Sequence, residues 1–89
     1  MSKAQKLLER MRQTKNGYGQ SDFQCLYLGF GFEEKQGGSH AKFVYEKYKL
    51  IAVVARHNVL ATGYAVDAVK LIDKLISEQA KEEDNGDTA

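Results

Sequence analysis

The apolar residues of this chain change their period twice, and no other feature restricts its fold as tightly. Up to Phe30 they recur at helical spacing, beyond it they alternate, and from Ala65 the helical spacing returns. Ala4, Leu7, Leu8 and Met11 make one stripe, and Ser2 with Gln5 reads as a capping box, so the spacing predicts a helix over about residues 3–14. "KNGYGQ", residues 15–20, is a loop with an Asn-Gly turn signal. A second capping box, Ser21 with Gln24, opens a short helix in which Phe23, Leu26, Tyr27 and Phe30 share a face. That helix is expected to end near Gly29, with Gly31 as the stop signal.

The alternating region predicts three strands. Phe32 to Gln36 reads as the first and "GGS" as the hairpin turn. In the second, Ala41, Phe43 and Tyr45 fall on one face, and His40, Lys42, Val44 and Glu46 on the other. "EKYK", residues 46–49, turns the chain into "LIAVVA", residues 50–55, a strand apolar on both faces. After the polar loop "RHN", Thr62 is the expected N-cap of a long helix. Its broad apolar face is Ala65, Ala68, Val69, Ile72, Leu75 and Ile76, while Asp67, Lys70, Asp73, Lys74 and Glu78 read as solvated.

The order α-α-β-β-β-α predicts an α+β fold, a three-stranded antiparallel sheet with helices packed on one face. Phe43 and Tyr45 are large and belong under the helices. The pleat then leaves His40 and Lys42 together on the uncovered face.

With 89 residues the chain is long enough for one modest core without disulfides, and a single domain is expected over residues 1–80. Residues 81–89, "KEEDNGDTA", carry one lysine against four carboxylates and read as a disordered acidic tail. The whole chain is at +1, so the remainder is at +4, a mildly basic surface that permits nucleic-acid binding. Cys25 is the only cysteine, which suits a reducing compartment, and it reads as packing rather than as a nucleophile. No apolar run reaches spanning length and Met1 to Arg12 is unlike a secretory signal, so a soluble, cytoplasmic protein without a membrane partner is expected. Two histidines without metal-ligand spacing predict no metal and no cofactor. The five tyrosines are spread along the chain and suggest no stacking platform.

What carries chemistry is "QGGSHAKF", residues 36–43. Metal-free RNA cleavage needs a base for the 2′-OH proton and an acid for the departing 5′-oxygen, and imidazole titrates in the range that serves both. His40 supplies the imidazole, and Lys42 a cation for the charge that develops on phosphate. Gly37, Gly38 and Ser39 are small enough to let a nucleic-acid backbone approach. An exposed hairpin histidine without a role is the competing reading. His57, beside Arg56, is either the second member of an acid–base pair or a surface loop histidine. The amides of Gly63, Tyr64 and Ala65 open the last helix, as amides do in every helix.

"GFGFEEKQGGSHAKFVY", an apolar strand and "RHNVLATGYAVDAVKLIDKL" together resemble the HicA family of bacterial toxin ribonucleases. The resemblance covers about residues 21–79 and is most specific at Gly-Ser-His; residues 1–20 read as a helical extension. It implies a double-stranded-RNA-binding-like fold and a toxin-type endoribonuclease that cuts mRNA without a metal. It also implies His40 as the catalytic residue and a HicB-like antitoxin that covers the site. Lys35, Gly38, Ser39, Lys42, Arg56 and His57 are the expected RNA contacts, with Lys47 and Lys49 as further cations. The chain departs from the family in the loop before the last helix, where Asn58 to Thr62 replaces the usual lysines and proline. A non-catalytic RNA- or protein-binding module on the same fold is the alternative that this apolar loop favours.

Overall fold

A computed structural model of the chain describes residues 2–35, 38–57 and 59–88. The order is α1 (Lys3–Gln13), α2 (Gln20–Gly29), β1 (Glu33–Lys35), β2 (His40–Tyr45), a 3-10 turn (Glu46–Tyr48), β3 (Leu50–Ala55) and α3 (Thr62–Thr88). The strands form one antiparallel sheet in the order β1-β2-β3. This is the α+β architecture expected from the periodicity, with the helices over one sheet face.

The packing follows from the alternation. Ala41 and Phe43 turn inward, opposite Val54 and Ala52 of β3, and meet Leu26, Tyr27, Ala68 and Ile72 in one core. Phe43 stacks on Tyr27 with ring centroids 5.2 Å apart, and Tyr27 continues to Phe32 at 5.1 Å. Met11, Phe23, Leu26, Phe43, Ile72 and Leu75 are among the largest side chains wholly removed from water, so all three helices and the sheet share this core. Burial of that kind is the main stabilising term for so small a domain.

Two glycines set how α1, α2 and β1 meet. A Cβ at Gly29 would overlap that of Ala4, so the end of α2 can lie against α1 only without a side chain. Gly31 adopts φ +98°, the left-handed region that lets the chain leave α2 sharply and enter β1. The predicted stop signal is therefore real.

Several local expectations change. The Ser2–Gln5 capping box forms, with both reciprocal hydrogen bonds present. The Ser21–Gln24 box does not. Gly19 is the N-cap of α2, and Asp22 closes the turn by accepting the Gly19 N–H at 3.0 Å. Gln24 instead donates to Glu34 of β1 at 2.8 Å. The Gln20 amide, which donates to the His57 carbonyl at 3.0 Å, fixes the start of α2 from outside the helix. The first strand is shorter than expected because Phe32 precedes it as a core residue; Gln36 and Gly37 lie outside the described residues. Thr62 is the first residue of α3.

The expected disordered tail continues α3 to Thr88, while Ala89 lies outside the described residues. Glu and Lys are good helix formers, and a helix already nucleated extends cheaply. Glu82 also has a tertiary partner: it accepts from Lys47 Nζ at 2.6 Å and from the Tyr48 hydroxyl. Composition alone could not register the tertiary contact. Among the described residues no helix is long and apolar enough to cross a membrane.

Candidate nucleic-acid site on the open sheet face

The register of the sheet decides which side chains share the uncovered face. His40 stands opposite Ala55, Lys42 opposite both Lys35 and Val53, and Val44 opposite both Glu33 and Ile51. His40 and Lys42 are exposed, as the alternation of β2 required, and lie about 6.6 Å apart along the strand. Lys35 and Lys42 are direct cross-strand neighbours of like charge, an arrangement that costs stability unless an anion answers it. Lys35 is partly answered by Glu33 at 3.2 Å and Glu46 at 3.9 Å. Lys42 has no ion-pair partner among the described residues.

The turn that presents His40 is held by Arg56. Its amide donates to the Ser39 carbonyl at 3.3 Å, extending the ladder by one residue. Its Nε donates to the Gly38 carbonyl, also at 3.3 Å. Arg56, expected as an RNA contact, thus clamps the turn with its backbone and its side chain. Ser39 Oγ lies 3.1 Å from His40 Nδ1, and Nε2 makes no hydrogen bond among the described residues. Ser39, His40 and Arg56 are therefore brought together, with Lys42 and Lys35 further along the same face. His57 is exposed two residues beyond the partner of His40; its carbonyl, not its imidazole, is engaged, by Gln20.

The apolar loop before α3 has a structural explanation. Leu60 is only 8% exposed and belongs to the core, and its amide donates to the Tyr18 carbonyl at 2.8 Å. The N-terminal extension braces this loop through Tyr18 and Gln20. Val59 is exposed, and Asn58 lies outside the described residues.

Other cations behave unequally. Lys49 adopts φ 57° and has no ion-pair partner among the described residues, whereas Lys47 pairs with Glu82, which raises it above the ordinary lysine range. The same carboxylate pushes Tyr48 up to about 12 through its hydrogen bond. Tyr45 and Tyr48 stack with centroids 5.5 Å apart and an interplanar angle of 4°, a pairing the sequence spacing did not suggest. Tyr45 covers one side of the Tyr48 ring, Lys47 lies 5.8 Å from its centroid, and with Gln79 and Glu82 they line a pocket of about 450 Å³. Asp73, read as solvated, grips Arg12 through two hydrogen bonds of 2.6 and 3.0 Å.

Ile51 and Val53, 53% and 52% exposed, make the third-strand side of this face apolar. His40, Lys42 and the Lys35–Glu33–Glu46 ion pairs thus adjoin an uncovered aliphatic patch. Family models, curated proteins and solved structures provide no match to this chain.

Proposed function

We infer that the chain is a metal-free endoribonuclease of the HicA toxin type, with His40 as the group that moves the substrate proton. The observation that carries this reading is the open face itself. An imidazole whose Nδ1 is within hydrogen-bond distance of Ser39 lies on the same face as Lys42, and Lys42 faces Lys35 across the ladder. A phosphodiester held by Lys42, which has no ion-pair partner among the described residues, would bring a ribose toward Nε2. The 2′-oxygen would then attack phosphorus as its proton leaves, the bond to the 5′-oxygen would break, and that oxygen would take up a proton. Lys42 would offset the charge gathering on the phosphate oxygens. The order of elements from α2 onward is consistent with a double-stranded-RNA-binding-like fold. A protein partner of the HicB antitoxin type would cover Ile51 and Val53 and close the site at once.

A non-catalytic binding module is the second reading, favoured by the same exposed aliphatic patch. One experiment separates them. Labelled RNA is incubated with wild type and with His40→Ala, in EDTA throughout. Loss of a general acid–base group lowers the rate by about 10²–10⁴, while the melting temperature should hold because an exposed substitution stays within about 0.5 kcal/mol. Equal cleavage by both proteins removes His40 from the mechanism. No cleavage by wild type leaves the binding module.

A further inference from the structure

The basic surplus of the chain does not lie on the sheet. Residues 1–15 hold five cations against the single carboxylate of Glu9, whereas residues 16–80 hold seven against seven. On α1, Arg12 is committed to Asp73 and Glu9, and Lys15 donates to the Arg12 carbonyl. Lys3, Lys6 and Arg10 remain, exposed and without an ion-pair partner among the described residues.

These three line one groove of about 340 Å³ between α1 and the start of α2, with Leu7, Ser21, Asp22 and Cys25 completing its walls. Helical spacing places them on one side of α1 over roughly 10 Å of axis. Arg10 is held over the buried Tyr18 ring at 5.5 Å, which limits its freedom. Asp22, the carboxylate of the groove, spends Oδ2 on the Gly19 amide. The Ser21 hydroxyl adds a neutral donor.

We propose that this groove is a second nucleic-acid contact, holding the phosphate backbone of a single strand through Lys3, Lys6 and Arg10, independently of the His40 face. A strand advances roughly 3.4 Å per nucleotide in a duplex and more when stretched, so three cations along 10 Å meet two or three consecutive phosphates. Protein interfaces, by contrast, are anchored on large exposed aromatic and aliphatic side chains, and the one aliphatic residue of this groove, Leu7, is only 9% exposed, with Cys25 half-buried. The contact is sequence-blind, since it reads backbone charge alone. It adds affinity that the sheet, with Lys35 and Lys47 already paired, does not supply.

The test measures binding of a labelled 2′-O-methyl oligouridine of about a dozen nucleotides, which has no attackable hydroxyl, so the outcome does not depend on cleavage. Affinity is followed against salt for the full-length wild type, for Lys3→Gln/Lys6→Gln/Arg10→Gln, and for Lys70→Gln/Lys74→Gln/Lys81→Gln, which removes equal charge from α3. Single-strand contacts contribute about 0.7 each to the slope of log affinity against log salt, so the α1 variant should lose about 2 and the α3 variant little. Backbone amide shifts of the wild type on titration should move at Lys6, Arg10 and Ser21, a readout that needs no variant to fold. An unchanged slope in the α1 variant, an equal loss in the α3 variant, or no binding at low salt would each overturn the proposal. So would displacement of the oligonucleotide by polyglutamate of equal charge at equal concentration, which would assign the groove to an acidic protein.

Discussion

Along β2 the residues that face the helices and those that face outward differ in more than exposure. Phe43 is enclosed by Tyr27 and the helical layer, so its position is fixed by contacts on every side. Lys42, its neighbour in the chain, is exposed opposite its cross-strand partners Lys35 and Val53 and has no ion-pair partner among the described residues. The covered face therefore carries stability, and the open face is free to hold side chains suited to a ligand. His40 sits at the border, where the strand begins and Arg56 clamps the turn. Core packing and solvent exposure are separable along this strand because they fall on alternate residues.

The widest gap between the two faces is between Phe43 and Lys42. Phe43→Ala removes a stacked ring from a filled core and should cost about 3–5 kcal/mol. Lys42→Ala should stay within about 0.5 kcal/mol. Urea unfolding of both variants measures the difference directly. A loss for Lys42→Ala comparable to that for Phe43→Ala would mean that the open face is covered in solution, and the comparison would fail.

The sequence disclosed this division well because period two is a strong signal wherever one face is buried. Ala41, Phe43 and Tyr45 against His40 and Lys42 could be separated from their order alone, as could the α-α-β-β-β-α arrangement. What stayed hidden depends on partners distant in sequence. Arg12 finds Asp73 sixty-one residues away, and Lys47 and Tyr48 find Glu82. Arg56 had the look of a phosphate ligand and is found bracing Gly38 and Ser39. The apolar loop before α3 is explained by Leu60, whose burial and amide bond to the Tyr18 carbonyl no spacing could show. α2 starts earlier than the Ser21–Gln24 pattern suggests for a similar reason: Gly19 is the N-cap, its N–H donates to Asp22, and the Gln20 amide is tied to the distant His57 carbonyl.

An intermediate effect is expected where the helical layer closes on itself. Gly29→Ala places a methyl group where the Cβ of Ala4 already lies, so α1 must shift away from the end of α2. Overpacking of this kind costs about 1–3 kcal/mol. Ala4→Gly by itself should cost about 1 kcal/mol through helix propensity. Combined with Gly29→Ala it should restore part of the lost stability, because the two positions compete for one space. Strictly additive losses in the double variant would show that the close approach is not what requires glycine. The open face should be indifferent to the change, so amide shifts at His40 and Lys42 are expected to stay in place.

The smallest effect concerns Lys47, in the turn between β2 and β3, which α3 reaches through Glu82. Glu82 is held below the usual carboxylate range, first by the hydrogen bond from Lys47 and then by that from Tyr48. A carboxyl whose folded value is depressed contributes its stability above the unfolded value, about 4.3, and loses it as pH falls through the folded one. Acidification should therefore release the end of α3 from Lys47 while the core turns around Ile72 and Leu75 stay helical. Cα chemical shifts of residues 79–82 would follow the change. The effect will be modest, since the pair is exposed and screened by salt. Glu82→Gln should abolish the acid dependence and leave Lys47 free for an anion. Helical shifts at residues 79–82 that ignore both acid and this substitution would mean that helix propensity alone carries α3 past Gln79. The tie to Lys47 would then be a passing contact, and the cation of the β2–β3 turn would be free of α3.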